Sequence, residues 1–307
     1  MYGKMVDSGV IWVDGKLTPW KEAGTHLLTH SLHYGTAIFE GVRAYATPKG
    51  PAIFRLHEHT KRLFDSAKIM DMPVPFSYDE LIEAQKSVIK ANKLASAYMR
   101  PLLYYGDDHL GISTSNLSSH VMIAAWEWGA YLGEDSIGNG IKVKTSSFTR
   151  HHINITLCKA KVAGNYVNSS LALKDAQMAG CHEALLLDPQ GHVAEGSAEN
   201  VFVIRDNIIY TPMLTSCLEG ITRDTIMLLA RELGYAVQEK LITRDEVYIA
   251  DEAFFTGTAV EVTPIIELDA RKIGEGKPGP ITQKLQKAYF DIVSGKNDKY
   301  KNWLTYI

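Results

Sequence analysis

The chain has 307 residues, a formal net charge of -3 and 46% hydrophobic residues. That length and apolar content suffice to bury a full core in one large or two modest domains. The near-balanced charge argues against a nucleic acid or an anionic membrane as the main partner. The opening stretch MYGKMVDSGVIWVDGK has no apolar core of signal-peptide length, and no later segment is apolar for long enough to predict a bilayer span. Cys158, Cys181 and Cys217 share no metal-type spacing. A sparse, odd count fits a reducing cytoplasm, where the protein is expected.

In chain order, Val10 to Leu17 reads as a hairpin whose Asp14-Gly15 pair supplies the positive-φ turn. His30 to Phe39 is expected as a short helix leading into a strand, Glu40 to Tyr45, and Gly50 to Arg55 as another strand. Leu56 to Lys68 reads as a helix with Leu63, Phe64 and Ala67 on one side and Arg62 in its middle. Ser77 and Glu80 form a capping box for a helix running to Asn92. Ala97 to Tyr105 is strand-like, so Tyr98 and Arg100 leave the same face, as a carboxylate clamp or as an edge-strand pair. Val121 to Trp128 is an apolar strand ending in the aromatic run WEWGAY. Residues 132–140, LGEDSIGNG, hold two glycine-bounded turns and are the expected linker.

Beyond the linker, Ile141 to Thr149 alternates as a strand, and Lys159 to Ala163 ends another extended segment. In that setting Lys159 and Lys161 face the same way, and geometry does not choose between them. A partly desolvated lysine amine beside a carbonyl can lose its proton and form an imine. Asn165 to Gly180 makes a helix. Ala184 to Asp188 and His192 to Gly196 form a hairpin, with Glu195 and Glu199 as candidates for a buried acid. Asn200 to Tyr210 is a second hairpin, turning at Asp206-Asn207.

Glu219 to Gly234 is the most regular helix, with Ile221, Thr225, Leu228 and Leu229 on one stripe. At its start Gly220 lets a ligand approach, and the amides of Ile221 and Thr222 point outward with the helix dipole behind them. Thr243 and Glu246 cap a short helix to Ile249. Glu252 to Gly257 and Val260 to Asp269 read as strands. Between them Thr256, Gly257, Thr258 and Ala259 form a second small-residue anion cradle. Ile281 to Ser294 closes the chain as a helix. The element mixture is α+β.

An amine, a buried acid and two anion cradles are the parts a pyridoxal phosphate enzyme needs. The chain resembles the branched-chain amino acid aminotransferases of the fold-type IV class. The resemblance runs through LHYGTAIFEGVRAY, FRLHEHTKRLFDSAK, SAYMRPL, WGAYLG, KVAGNY, AEGSAENVF, EGITRD and TGTAVEVTPI. It implies a two-domain α+β architecture with the cofactor between the domains: a small domain over 1–131, the linker 132–140 and a large domain over 141–307.

The same resemblance implies that Lys161 forms the imine with pyridoxal 5'-phosphate and shuttles the proton. It pairs Glu195 with the ring nitrogen and sets Tyr166 beside the ring oxygen. It assigns the phosphate to Arg62, Ile221, Thr222 and Thr258, with Asn200 close by. Tyr34, Phe39, Trp128 and Tyr131 would wall the pocket for aliphatic side chains. Tyr98, Arg100 and Tyr131 would meet a side-chain carboxylate, and the Thr258 and Ala259 amides the α-carboxylate. The expected reaction moves the amino group of leucine, isoleucine or valine to 2-oxoglutarate. The expected assembly is a homodimer or higher homo-oligomer, with Tyr34 and the loop after Gly106 reaching the partner's site. D-amino acid aminotransferase, (R)-amine aminotransferase and aminodeoxychorismate lyase share the fold type. The loop Gly106-Asp107-Asp108-His109-Leu110-Gly111-Ile112 departs from the family's usual glycine-methionine-glycine run, so Asp108 or His109 is expected to alter carboxylate binding.

Overall fold

The computed structural model describes residues 9–129 and 134–307. Its chain divides into two compact units. The first comprises 9–128, 159–165 and 292–307, and the second comprises 129, 134–158 and 166–291. Each is built on its own sheet.

The first unit's sheet is antiparallel throughout. Strand Ala97–Tyr105 lies at its centre, flanked by Val42–Thr47 and Ser119–Trp126. This central position removes the edge-strand reading of Tyr98 and Arg100. The hairpin Val10–Val13 to Lys16–Pro19 turns at Asp14 and Gly15, both at positive φ, and extends one side. Leu304–Tyr306 pairs with Gly50–Phe54 on the other side. Helices Leu56–Ile69 and Tyr78–Ala91 bury Leu56, Leu63, Ala67, Leu81, Val88 and Ile89 in the core of this unit. The second helix carries the expected capping box, Ser77 with Glu80.

The stretch 159–165 is not the extended strand its composition suggested. It is a run of turns ending in a short 3-10 helix at Ala163–Asn165, with one isolated bridge between Ile38 and Val162. The backbone is stitched to residues 35–39: Phe39 N donates to Lys161 O at 3.0 Å, Ala163 N to Ala37 O at 2.7 Å and Gly164 N to Gly35 O at 2.9 Å. Gly35 has φ +69°, and a Cβ on it would stand 3.0 Å from the Gly164 Cα. Two glycines at this crossing let the backbones touch. Ala160 and Val162 are buried in the core, which fixes Lys161 from both sides. These bonds, and the terminal strand, are why 159–165 and 292–307 group with the N-terminal residues rather than with the region after the linker.

The second unit holds a mixed sheet. Parallel pairing joins Ile141–Thr145 to Glu183–Leu187 and to Glu261–Leu268. Antiparallel pairing continues from Glu261–Leu268 through Glu252–Gly257, Asn200–Arg205 and Ile208–Pro212. Asp206 and Asn207 turn the last hairpin in the left-handed region. Helix Ile221–Glu232 buries Thr222, Thr225, Ile226, Leu229 and Ala230. The buried stripe is broader than expected, with Ile221 and Leu228 only half-buried. The expected linker is not all turn, because Glu134–Asn139 is helical. Tyr131 lies outside the described residues.

Glu183 begins the strand Glu183–Leu187 and is fully buried. Burial pushes its carboxyl up to about 7, against hydrogen bonds from Ala184 and Ser197. A folded-state pKa above the ordinary 4.5 favours folding while the group is protonated. That contribution is present below the unfolded value and is lost as pH rises through 7. Glu183→Gln should therefore raise the melting temperature by a few degrees at about pH 8, with the difference shrinking toward zero near pH 5. Melting curves at the two pH values check this.

Candidate active site

In the first unit, Phe39, Arg62, Tyr98, Arg100, Trp128 and Lys161 are gathered by three elements and one stitched turn. Strand Ile38–Phe39 pairs with Ala97–Tyr105 at Leu102 and Leu103. The Lys161 backbone N donates to Ser66 Oγ on helix Leu56–Ile69 at 3.1 Å. The Lys161 Nζ then lies 5.0 Å from the Phe39 ring centroid, and the Arg100 Cζ lies 4.5 Å from the same centroid. One aromatic ring is thus shared between the amine and a guanidinium.

Tyr98 and Arg100 share a face, as their spacing requires. Arg100 Nη2 donates to Tyr98 Oη at 3.4 Å, and Tyr98 packs edge-on against Trp128 at 4.4 Å. Arg100 Nε is buried and has no hydrogen-bond partner among the described residues. A buried guanidinium N–H in that state is suited to an incoming acceptor such as a carboxylate. Tyr34 does not join this wall by any ring contact. It is 45% exposed and packs its ring against His30 at 4.6 Å.

Arg62 is not the surface charge that its mid-helix position allows. Its Nε and Nη2 donate to the two oxygens of Glu40, at 2.7 and 2.9 Å. His59, one turn earlier on the same helix, has its Nδ1 2.8 Å from Glu40 Oε2. Burial alone would raise the Glu40 carboxyl, but the Arg62 guanidinium and the His59 hydrogen bond outweigh it and hold the group ionised. Burial also pushes the His59 imidazole below its ordinary value, against the pull of Glu40.

The departure from the family's loop pattern has a local explanation. Asp108 accepts from Ser118 N at 2.8 Å and from Ser118 Oγ at 2.9 Å, while His109 Nε2 meets Ser115 O at 3.0 Å. Both side chains staple their own loop.

In the second unit, Glu195 sits in strand Val193–Gly196, on the face that meets the start of helix Ile221–Glu232. Leu218 N donates to Glu195 Oε2 at 3.2 Å, and Asn200 Nδ2 donates to Leu218 O at 2.9 Å. Gly220 is the N-cap, and a Cβ there would collide with Asn200 Oδ1. Glycine is required at this approach. The acid candidate, the helix amides and Asn200 are thus neighbours, which fits an aromatic cation next to an anion. Asn200 stands in register opposite Thr256, whose buried Oγ1 has no hydrogen-bond partner among the described residues. Thr258 and Ala259, both half-buried, form the turn that follows. The donor set fits a phosphate. Tyr166 opens helix Tyr166–Met178 and is half-buried.

Glu199 is buried too, but its Oε2 accepts from Ala198 N at 2.9 Å within its own loop. Glu195 lies beside a buried cation: Arg150 Nε is 2.8 Å from its Oε1. Arg150 is itself fixed by Asn168 and Ser169 at 3.3 and 3.2 Å. Burial and then the Arg150 charge push neighbouring His151 down to about 4, which leaves this imidazole neutral near pH 7. Sequence reasoning missed Arg150, Glu40 and His59. For the last two a signal existed, since His59 and Arg62 are one turn apart on a helix face. Among the described residues no cluster of histidine, cysteine and carboxylate groups could hold a metal.

Comparison with known proteins places the chain in a family. The amino-transferase class IV family profile matches residues 37–268. A branched-chain-amino-acid aminotransferase of Pseudomonas aeruginosa is 60% identical over 299 residues, 97% of each chain. One from Escherichia coli K12 is 44% identical over 296 residues, 96% of each. A crystal structure of the T.th. branched-chain amino acid aminotransferase with pyridoxamine 5'-phosphate superposes with a TM-score of 0.95 at 51% identity, covering 98% of this chain and 99% of that one. With its fold-type IV architecture and a profile match across most of its length, the chain belongs to the class IV aminotransferases.

Proposed function

We propose that the chain transfers the amino group of branched-chain L-amino acids to 2-oxoglutarate, using pyridoxal 5'-phosphate. The observation that carries this reading is the wall in which Phe39 lies 5.0 Å from the Lys161 Nζ and 4.5 Å from the Arg100 Cζ. An aliphatic side chain can lie on the ring, and the side-chain carboxylate of glutamate can meet the guanidinium. The relatives named above carry the same activity in their names.

When bound, the coenzyme supplies an aldehyde to take the amino group and a ring to take up electrons. Glu195 would pair with the ring nitrogen of the bound coenzyme and keep a proton on it. In this reading Arg62, Ile221, Thr222 and Thr258 would hold the phosphate, and Tyr166 would stand by the ring oxygen. Lys161 Nζ would take the proton from the substrate α-carbon and pass it to a carbon of the coenzyme, and would carry a proton the opposite way in the second half-reaction. Thr258 and Ala259 amides take the α-carboxylate. Phe39 and Trp128, joined by Tyr34 of the partner subunit, would exclude water from the aliphatic side. Tyr98 and Arg100 would take the second carboxylate.

The assembly we infer is a homodimer or a higher homo-oligomer. Helix His30–Tyr34 and the loop at 106–112 are tied together by His30 N to Gly106 O and His30 Nε2 to Gly111 O, both 2.8 Å. On these tied segments Leu32 is 64% exposed and Ile112 is 87% exposed. Such apolar exposure on fixed segments supports a contact between copies. A reducing cytoplasm suits the three cysteines, which are free thiols. Among the described residues no helix is long and apolar enough to cross a membrane.

The direct test is a panel of L-leucine, D-alanine and (R)-1-phenylethylamine with 2-oxoglutarate. Turnover with leucine alone is expected, and preference for either of the others overturns the reading. Lys161→Ala should bring leucine turnover below detection with an unchanged circular dichroism spectrum. Arg100→Ala should lower kcat/KM for glutamate roughly ten- to hundredfold more than for leucine, the scale of one charge-assisted hydrogen bond. Leu32→Asp with Ile112→Asp should yield a species of one-chain mass by light scattering.

A further inference from the structure

The reading of Arg62 as the phosphate arginine leaves open what aims it. Glu40 is 1% exposed and His59 is 2% exposed, yet both side chains are polar. An ionised carboxylate at that depth is costly unless its oxygens are filled. They are: Oε1 takes Arg62 Nε, and Oε2 takes Arg62 Nη2, His59 Nδ1 and, at 3.3 Å, Gly41 N. The Arg62 side chain, by contrast, is 14% exposed. The guanidinium therefore has one edge fixed in the interior, on a side chain that is not itself fully buried.

Two geometric facts make this an orienting device. A side-on pair through Nε and Nη2 fixes the plane of a guanidinium, because both bonds lie in that plane. The carboxylate can hold that plane only if its own torsion is fixed, and His59 supplies this from the same helix, three residues before Arg62. His59, neutral, must carry its proton on Nδ1 to donate to Glu40. The helix thus sends down two side chains that meet on a single carboxylate borne by the neighbouring chain segment at 40–41.

We propose that Glu40 and His59 are positioning residues that set the guanidinium of Arg62 for a phosphate group, with His59 acting through Glu40. This rests on the reading of Arg62 given above. The consequence is specific to the phosphate: loss of the His59 donor loosens the grip on a phosphorylated coenzyme and leaves the grip on its ring unchanged.

The test uses the full chain freed of coenzyme, with equilibrium dialysis of pyridoxamine 5'-phosphate and of pyridoxamine. The readout is the ratio of the two dissociation constants. His59→Phe keeps a ring but removes the donor, and should lower the phosphate preference about tenfold, the scale of one lost hydrogen bond to a charged group. His59→Asn keeps a donor near the Nδ1 position and should restore the preference to within about threefold of the parent. His59→Gln carries the same amide one carbon further out, and should behave like the Phe variant. In an Arg62→Gln background the His59→Phe change should alter the ratio no further. A His59→Phe variant that melts earlier yet keeps the parental ratio overturns the proposal and shows a merely structural role. If Arg62→Gln alone leaves the ratio unchanged, the phosphate reading of Arg62 falls, and the proposal falls with it for that separate reason.

Discussion

Everything attributed to the amine depends on holding the backbone of Lys161 still. A lysine side chain has four rotatable bonds, so its nitrogen is useful only if the chain that carries it does not move. The fold meets this with a stretch that is neither helix nor strand over most of its length. Buried Ala160 and Val162 anchor it, backbone bonds to residues 35–39 lock it, and the Ser66 hydroxyl takes the amide of the lysine itself. An irregular segment was needed here. A regular strand would have pointed residues 159 and 161 the same way and left the choice between them open.

A second theme is the treatment of buried acids. Glu40 and Glu195 each face one arginine, and Arg150 is held in turn by Asn168 and Ser169. Glu183 has no such partner, and its proton affinity rises accordingly. The contrast separates two uses of a buried carboxylate. A paired acid stays charged and can orient or attract. An acid supported by neutral donors alone behaves as a weakly acidic hydrogen-bonding group that prefers to keep its proton. Arg223 in the EGITRD motif belongs with the arginines that act structurally. It is buried against Pro212 O and Glu239, and it ties the helix to the sheet rather than facing a ligand.

Much of the local architecture was legible from the sequence because it is set by neighbours in the chain. Asp14-Gly15 and Asp206-Asn207 each supplied the left-handed residues their turns need, and Ser77 with Glu80 announced a helix start. The identity of Lys161 and Glu195 came from whole-family resemblance, since spacing alone left Lys159 and Glu199 in play. The rest was out of reach because it depends on chain-distant partners. Arg150 and Glu195 are 45 positions apart, and no local pattern links them. Parallel pairing of Ile141–Thr145 with both of its neighbours is equally non-local. The helix at Glu134–Asn139 was hidden by Gly133, Gly138 and Gly140, which read as turn formers. Glu40, an acid between Phe39 and Gly41 in an apolar run, was the one visible hint that a cation had to lie nearby.

The first unit is drawn from three separated stretches of chain, and the last of them adds the strand Leu304–Tyr306 beside Gly50–Phe54. During synthesis on the ribosome, that sheet must wait with an open hydrogen-bonding edge while the whole of the second unit emerges. Chaperone demand in the nascent state should thus concentrate on the N-terminal half, even though that half is made first.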